Sequence, residues 1–394
     1  MKKLIHFELK KQFPSVKNLV VWLLLFVTLL TFGAINMITD YRYKGMRLGY
    51  DGSAWDAALQ LNLLLQTYPK DPPENIQLAM ELWRRDAVYS AQQRVFSAWV
   101  GEDRWRDVVL ANINRNENIL QGLRDGIISG KTKAEGGVTE ADLINNINLN
   151  RYFFDNDIKP LRSANEMTGV NFIYQAFSVL MPYLAAAVVL LLCGDCFTSE
   201  MDSGSFKFLL LQPYPRSKVF SAKILSCLII TFTVISSSTL AVFLIMSAFN
   251  GTGSIAYPLS FDPYAFSSIT VTPQSEILEY LGAGQFLLYT FILFTLYIVF
   301  LISFAGIASV LSQESLNAMT VSISVFFAAA VLQPPISRIP VISLLWPLSY
   351  GNAITTLEGR APGSMLAGIL IFVLASSIVL IASRTIFIKK DIAC

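Results

Sequence analysis

The stretch LVVWLLLFVTLLTFGAINMIT, residues 19–39, runs for 21 residues without an Asp, Glu, Lys or Arg. At 1.5 Å per residue, a helix of that length matches a hydrocarbon layer of about 30 Å. Comparable charge-free runs follow at 167–194, 224–261, 281–313, 315–337 and 361–383. One such run suits a buried helix of a soluble protein, but six long ones exceed what a single soluble core can cover, so they are read as membrane spans. Composition agrees, since 54% of the 394 residues are hydrophobic and only 15% are charged, against about 25% charged in soluble domains. The expected fold class is an all-α membrane protein with six transmembrane helices, the first over 19–39 and the other five within 167–394.

A further uncharged run, 339–357, contains Pro340, Pro347, Ser349, Tyr350 and Asn352 and is only moderately apolar. It reads as a re-entrant or interfacial segment, because broken backbone at membrane depth must be satisfied by protein or water. Lys and Arg near the spans set the orientation. Lys2, Lys3, Lys10, Lys11 and Lys17 precede the first span, Lys207, Arg216, Lys218 and Lys223 precede the third, and Arg384, Lys389 and Lys390 follow the last. The loop 250–280 holds no Lys or Arg. Six spans with both termini in the cytoplasm satisfy this pattern, whereas seven would put the basic C-terminus outside. The long basic region before residue 19 and the lack of an A-x-A site favour a retained anchor over a cleaved signal.

Residues 40–166 carry 16 Lys/Arg and 18 Asp/Glu, well mixed, which suits a solvated domain of its own. By topology it lies outside the cytoplasm. Helical spacing dominates it, with helices expected over 54–68, 104–128 and 139–155. Another is marked by a stripe of Leu78, Leu82, Val88, Tyr89, Phe96 and Trp99. Trp55, Trp83, Trp99 and Trp105 are read as core. None of the four cysteines falls in this domain, which points weakly to a bacterial exported domain. Residues 1–18 are expected to form a cytoplasmic amphipathic helix. Its Ile5, Leu9 and Phe13 would lie on membrane lipid and its lysines on another face.

Chemistry-bearing motifs are missing. There is no G-x-x-x-x-G-K-[ST], H-E-x-x-H or G-x-S-x-G, and His6 is the sole histidine. Cys193 and Cys196 have C-x-x-C spacing but no further soft ligands nearby, so neither a metal nor a catalytic site is expected. A net charge of +2 argues against nucleic acid as a partner. The cores of the spans hold no ionisable residue, which argues against ion-coupled transport. Polar or kinked positions that could line a route are Gln175, Pro182, Ser237 and Thr239.

The segment FTSEMDSGSFKFLLLQPYPRSKVFSAK, 197–223, is the most specific in the chain. Its Glu200, Gly204, Leu209-Leu210, Pro213, Arg216 and Lys223 resemble, in order and spacing, the loop between the second and third spans of type-2 ABC transporter permeases. Ser205 stands where threonine is commoner. The Pro-Leu-x-Tyr at 347–350 is similar to the external re-entrant segment of that family. The resemblance implies a permease subunit of an ATP-driven exporter. That subunit would have no cofactor of its own, and ATP and Mg would be bound by separate ABC ATPase subunits. It also implies a second permease subunit, the same or related, and a coupling helix in 197–223 seated in an ATPase groove. Phe206, Leu209 and Leu210 would supply its apolar face. A bulky amphipathic substrate, such as an antimicrobial peptide, drug or lipid-like compound, is the expected cargo. The competing class is a membrane-anchored sensor or structural protein whose external domain binds a ligand or partner.

Overall fold

The computed structural model describes residues 2–46, 53–98, 104–128, 139–161, 163–204, 214–266 and 276–389. Of the coupling segment, Ser205, Phe206, Leu209, Leu210 and Pro213 lie outside the described residues, as does Trp99. The chain is built almost wholly from helices. These are α1 (Lys2–Gln12), α2 (Val16–Met46), α3 (Ser53–Thr67), α4 (Glu74–Ala98), α5 (Trp105–Arg124), α6 (Glu140–Asp155) and α7 (Gly169–Gln175). After a π-helical turn at Ala176–Leu180 come α8 (Met181–Cys193), α9 (Thr198–Asp202), α10 (Arg216–Asn250), α11 (Ala283–Leu311) and α12 (Ser315–Val331). The short α13 (Gln333–Ile336), α14 (Pro340–Leu345) and α15 (Ala353–Leu357) lead to α16 (Met365–Lys389). Two short strands, β1 (Pro258–Phe261) and β2 (Glu279–Gly282), pair antiparallel with Pro258 opposite Gly282.

Among the described residues, five segments are long and apolar enough to cross a membrane: Val16–Arg42, Gly169–Asp202, Arg216–Asn250, Ala283–Leu311 and Met365–Lys389. The remaining expected span, α12, fifth in chain order, is apolar but only 17 residues long. The run 339–357 forms no single helix. It breaks at Pro340 and Pro347 into α14, a 3-10 turn at Pro347–Tyr350, and α15. Proline supplies no N–H and fixes φ, so it starts helices and interrupts them. Tyr350 is nevertheless wholly buried, so this broken segment packs into the bundle. The spans share one core, whose centre is Ala305, Leu301, Ile298 and Leu293 of α11 against Phe372 of α16 and Ala186 and Val189 of α8. Gly33 brings α2 against α10, since a Cβ there would sit 2.6 Å from Met246 Cε.

Helices α3 to α6 form a second body in which α4 packs on α3 and α5, and α5 on α6. Its core of Val109, Ile113, Phe153 and Ile158 reaches Tyr257, whose ring lies 5.3 Å from that of Phe153. A capping box at Thr139 and Asp142 starts α6, satisfying N–H groups that the first turn leaves unbonded. Trp105 packs on this core as expected. Of the stripe expected on α4, Leu82 is buried, but Leu78 and Val88 are 41% and 49% exposed, and Ala79, Asp86 and Ser90 are buried in their place. Asp86 takes a core position because Arg115 Nε on α5 bonds its Oδ1 at 3.2 Å. Burial still pushes its carboxyl above the ordinary range, the nearby Arg115 opposing.

Candidate functional site

Lysine is rarely buried without a partner, and Lys223, the last residue of the 197–223 segment, is only 2% exposed on the first part of α10. Its Nζ lies 2.9 Å from Glu200 Oε2 and 3.3 Å from Glu8 Oε1. It also donates to the Cys196 carbonyl at 3.2 Å. Glu200 in turn accepts from Lys11 Nζ through Oε1 at 2.9 Å. Two acids and two lysines therefore balance in charge. The Glu8 and Glu200 carboxylates are almost fully covered, and Lys11 extends to water. A second tie lies alongside, Lys17 Nζ to Asp195 Oδ1 at 2.6 Å. A cavity of about 280 Å³ opens beside the cluster, lined in part by Glu8, Lys17, Asp195 and Lys223.

These ties bind three pieces of chain that are far apart in sequence: residues 8–17 of α1 and the start of α2, the 195–200 end of the second span, and the beginning of α10. On α1, Leu4 and Glu8 are the buried residues, whereas Phe13 is 52% exposed. Glu8 turns inward for charge, because a buried Lys223 needs a carboxylate and Glu8 supplies one. Glu8, Lys11, Lys17 and Asp195 were missed by sequence reasoning. The one available signal was Glu8, the only acid in a strongly basic tail.

Of the other expected coupling residues, Gly204 has φ +64 just beyond α9, and no heavy atom would meet an added Cβ. The left-handed backbone itself is what asks for glycine there. The Arg216 guanidinium donates to the Ile388 carbonyl at 3.2 Å, which joins the start of α10 to the end of α16.

Pro182 marks a second arrangement. Lacking an N–H, it cannot bond the carbonyl of Ser178 four residues earlier, and the helix widens into the π turn Ala176–Leu180. Asn352 Nδ2 donates to that Ser178 carbonyl at 2.7 Å. The Asn352 Oδ1 meanwhile caps α15 by accepting from Ile354 and Thr355 N–H groups. The Pro182 carbonyl accepts from Tyr297 Oη at 2.9 Å. The kink is thus held from two sides, by the broken segment and by α11. The sequence marked Asn352 only as a polar residue of the broken segment, and Tyr297 not at all.

The remaining route candidates are not gathered there. Gln175 is half-buried at the end of α7. Ser237 faces α2, accepting from Trp22 Nε1 at 2.9 Å, and Thr239 is buried. Cys193 and Cys196 are both buried with free thiols, and Cys193 Sγ lies 3.5 Å from Thr231 Oγ1.

Set against models of known families, residues 9–392 match the ABC-2 family transporter protein model. The chain belongs to the ABC-2 transporter family. It matches none of the curated proteins compared with it. As an ABC-2 permease it is an integral membrane protein, and membrane subunits of this family are typically non-catalytic. The charge cluster and the kink are therefore features of a transporter's membrane domain.

Proposed function

We propose that this ABC-2 permease is the membrane-spanning half of an ATP-driven exporter. It would be driven through residues 197–223 by separate ATPase subunits and paired with a second permease, the same chain or a related one. On this reading α12 is the fifth of six spans, both termini are cytoplasmic, and residues 40–166 lie outside in a bacterial cell. The observation that carries the proposal is the buried Lys223, which ties α1 and the end of the second span to α10 on either side of residues 205–213. A push on that segment would then move three elements as one body. Phe206, Leu209 and Leu210 would enter an ATPase groove, ATP and Mg being held by the partner. The bulk of the external domain and the uncharged span interiors favour a bulky amphipathic cargo, such as an antimicrobial peptide, drug or lipid-like compound.

The test is co-purification with the nucleotide-binding subunit and measurement of its ATPase activity with and without this chain. The complex should form and hydrolyse ATP, and Leu209→Ala together with Arg216→Ala should abolish transport while each subunit alone stays folded. A chain that never holds a nucleotide-binding subunit would overturn the reading.

A further inference from the structure

The end of the second span is joined to α12 as well as to α10, and three contacts make the joint. Gly194 comes so close to α12 that an added Cβ would lie 3.3 Å from Met319 Cγ and 3.4 Å from Ser322 Oγ. The Phe197 N–H donates to Ser309 Oγ, near the end of α11, at 3.0 Å. Asp202, the last residue of α9, accepts the Ser315 N–H through Oδ2 at 2.9 Å. Ser309 and Ser315 stand on either side of the turn between α11 and α12, so that turn is gripped from both sides. The Asp202 bond is an uncommon way to start a helix. The first N–H groups of a helix have no partner within it, and the residue just before the helix usually supplies one. Here that residue is Glu314, whose side chain makes no cap and accepts instead from Asn317 Nδ2 through Oε2 at 3.0 Å. The cap comes from a residue 113 positions earlier, and its negative charge suits the positive end of the helix. Farther along, α12 is held by a narrow stripe. Its buried residues are Ala318, Ser322 and Phe326, spaced by four, whereas Leu316, Val321, Phe327 and Val331 are exposed.

We propose that Asp202 is a positioning residue that makes α12 follow the coupling segment. A push arriving at residues 205–213 reaches the first residue of α12 through the Asp202 cap and swings that helix as a rigid body against α11. The inference rests on the reading that an ATPase drives the chain through residues 197–223, and it extends that reading from the elements tied by Lys223 to α12. Of the three contacts, Asp202 stands nearest in sequence to the place where the push arrives, and its partner is the residue that begins α12. A cap drawn from α12's own preceding residue would satisfy the same N–H without joining the two elements. The narrow buried stripe leaves α12 free to move with whatever holds its start.

The test uses the full chain with its four native cysteines replaced by serine. Spin labels go at two exposed positions, Val331 on α12 and Ile378 on α16, and double electron–electron resonance reads the distance between them. The chain is measured alone and in complex with its nucleotide-binding subunit trapped by ATP and vanadate. Trapping should shift the distance in the otherwise unaltered chain. Asp202→Asn should keep the shift, because an amide oxygen caps a helix about as well as a carboxylate. Asp202→Ala should lose it, and in the chain alone should broaden the spread of distances. Asp202 is exposed, so neither variant leaves a covered charge behind and both should fold. A shift of full size in Asp202→Ala would overturn the inference, since a cap that served folding alone would not be needed for the movement. So would loss of the shift in Asp202→Asn, or an unchanged spread in the Asp202→Ala chain alone. A complex that forms but shows no shift even with Asp202 in place would count against the permease reading instead, while the spread in the chain alone still judges the joint.

Discussion

Lys223 shows how one residue organises the face of the bundle beside residues 205–213. Its Nζ is shared between Glu200 and Glu8, and taking that many charges out of water is costly unless all are paired. Lys223→Met should therefore lower stability by about 3–5 kcal/mol, because the covered Glu8 carboxylate loses its counter-charge and Glu200 keeps only Lys11. Adding Glu8→Gln and Glu200→Gln to Lys223→Met should recover most of that loss, since no covered charge is then left behind and Lys11 reaches water. Thermal unfolding of the full chain in detergent reads both outcomes. A triple variant as unstable as the single one would mean that shape, not charge, holds α1 in place. The same triple variant separates folding from function, as it should fold while coupling ATP hydrolysis to transport poorly.

Among the elements, the kinked second span makes a sharper case. Pro182 leaves the Ser178 carbonyl without a helical donor, and Asn352 from the broken 340–357 segment donates to it. Asn352→Asp keeps an oxygen to cap α15 but loses the donor, so it should cost about 1–3 kcal/mol for the orphaned carbonyl. In a Pro182→Ala background the helix can bond Ser178 itself, and that cost should largely vanish. A double-mutant cycle on unfolding midpoints measures the coupling, and additive effects would disprove the link. Pro182 and the prolines of the broken segment were legible in the sequence, because proline acts through its own ring. Asn352 was not, because its partner lies 174 residues away. The helices of the 53–161 domain were legible from spacing, yet the buried face of α4 was not. Asp86 and Ser90 occupy core positions there, and an apolar stripe cannot reveal a carboxylate buried by an arginine of another helix. The same limit hid Glu8 on α1.

For the whole molecule, the open question of architecture is α12. Its 17 residues extend about 26 Å, against a hydrocarbon layer of about 30 Å, while the other five spans have length to spare. A crossing at α12 puts both termini on one side and returns the chain through the 338–360 region on the other. Without the crossing, the termini fall on opposite sides and the broken segment lies on the same side as residues 197–223. The charge distribution favours the crossing, since the basic ends before Leu19 and after Ser383 then face the same compartment, while the stretch between α12 and α16, with only Arg338 and Arg360, stands opposite. Short spans are accommodated by local thinning of the bilayer at fractions of a kcal/mol per Å, and α13 follows α12 almost at once, at Gln333–Ile336. The exposed positions Lys10, Arg338, Arg360 and Lys389 give the test. Each is replaced singly by cysteine in a chain whose four native cysteines are serine, and intact cells are treated with an impermeant maleimide. Arg338→Cys and Arg360→Cys should label, whereas Lys10→Cys and Lys389→Cys should label only after the membrane is opened. If Lys389→Cys labelled in intact cells and Arg338→Cys did not, α12 would lie along the bundle without crossing. That outcome would also contradict the contacts at the far end of the broken segment, where the Leu357 carbonyl accepts from the Asp262 N–H at 3.0 Å and Glu358 Oε1 from Tyr174 Oη at 2.7 Å.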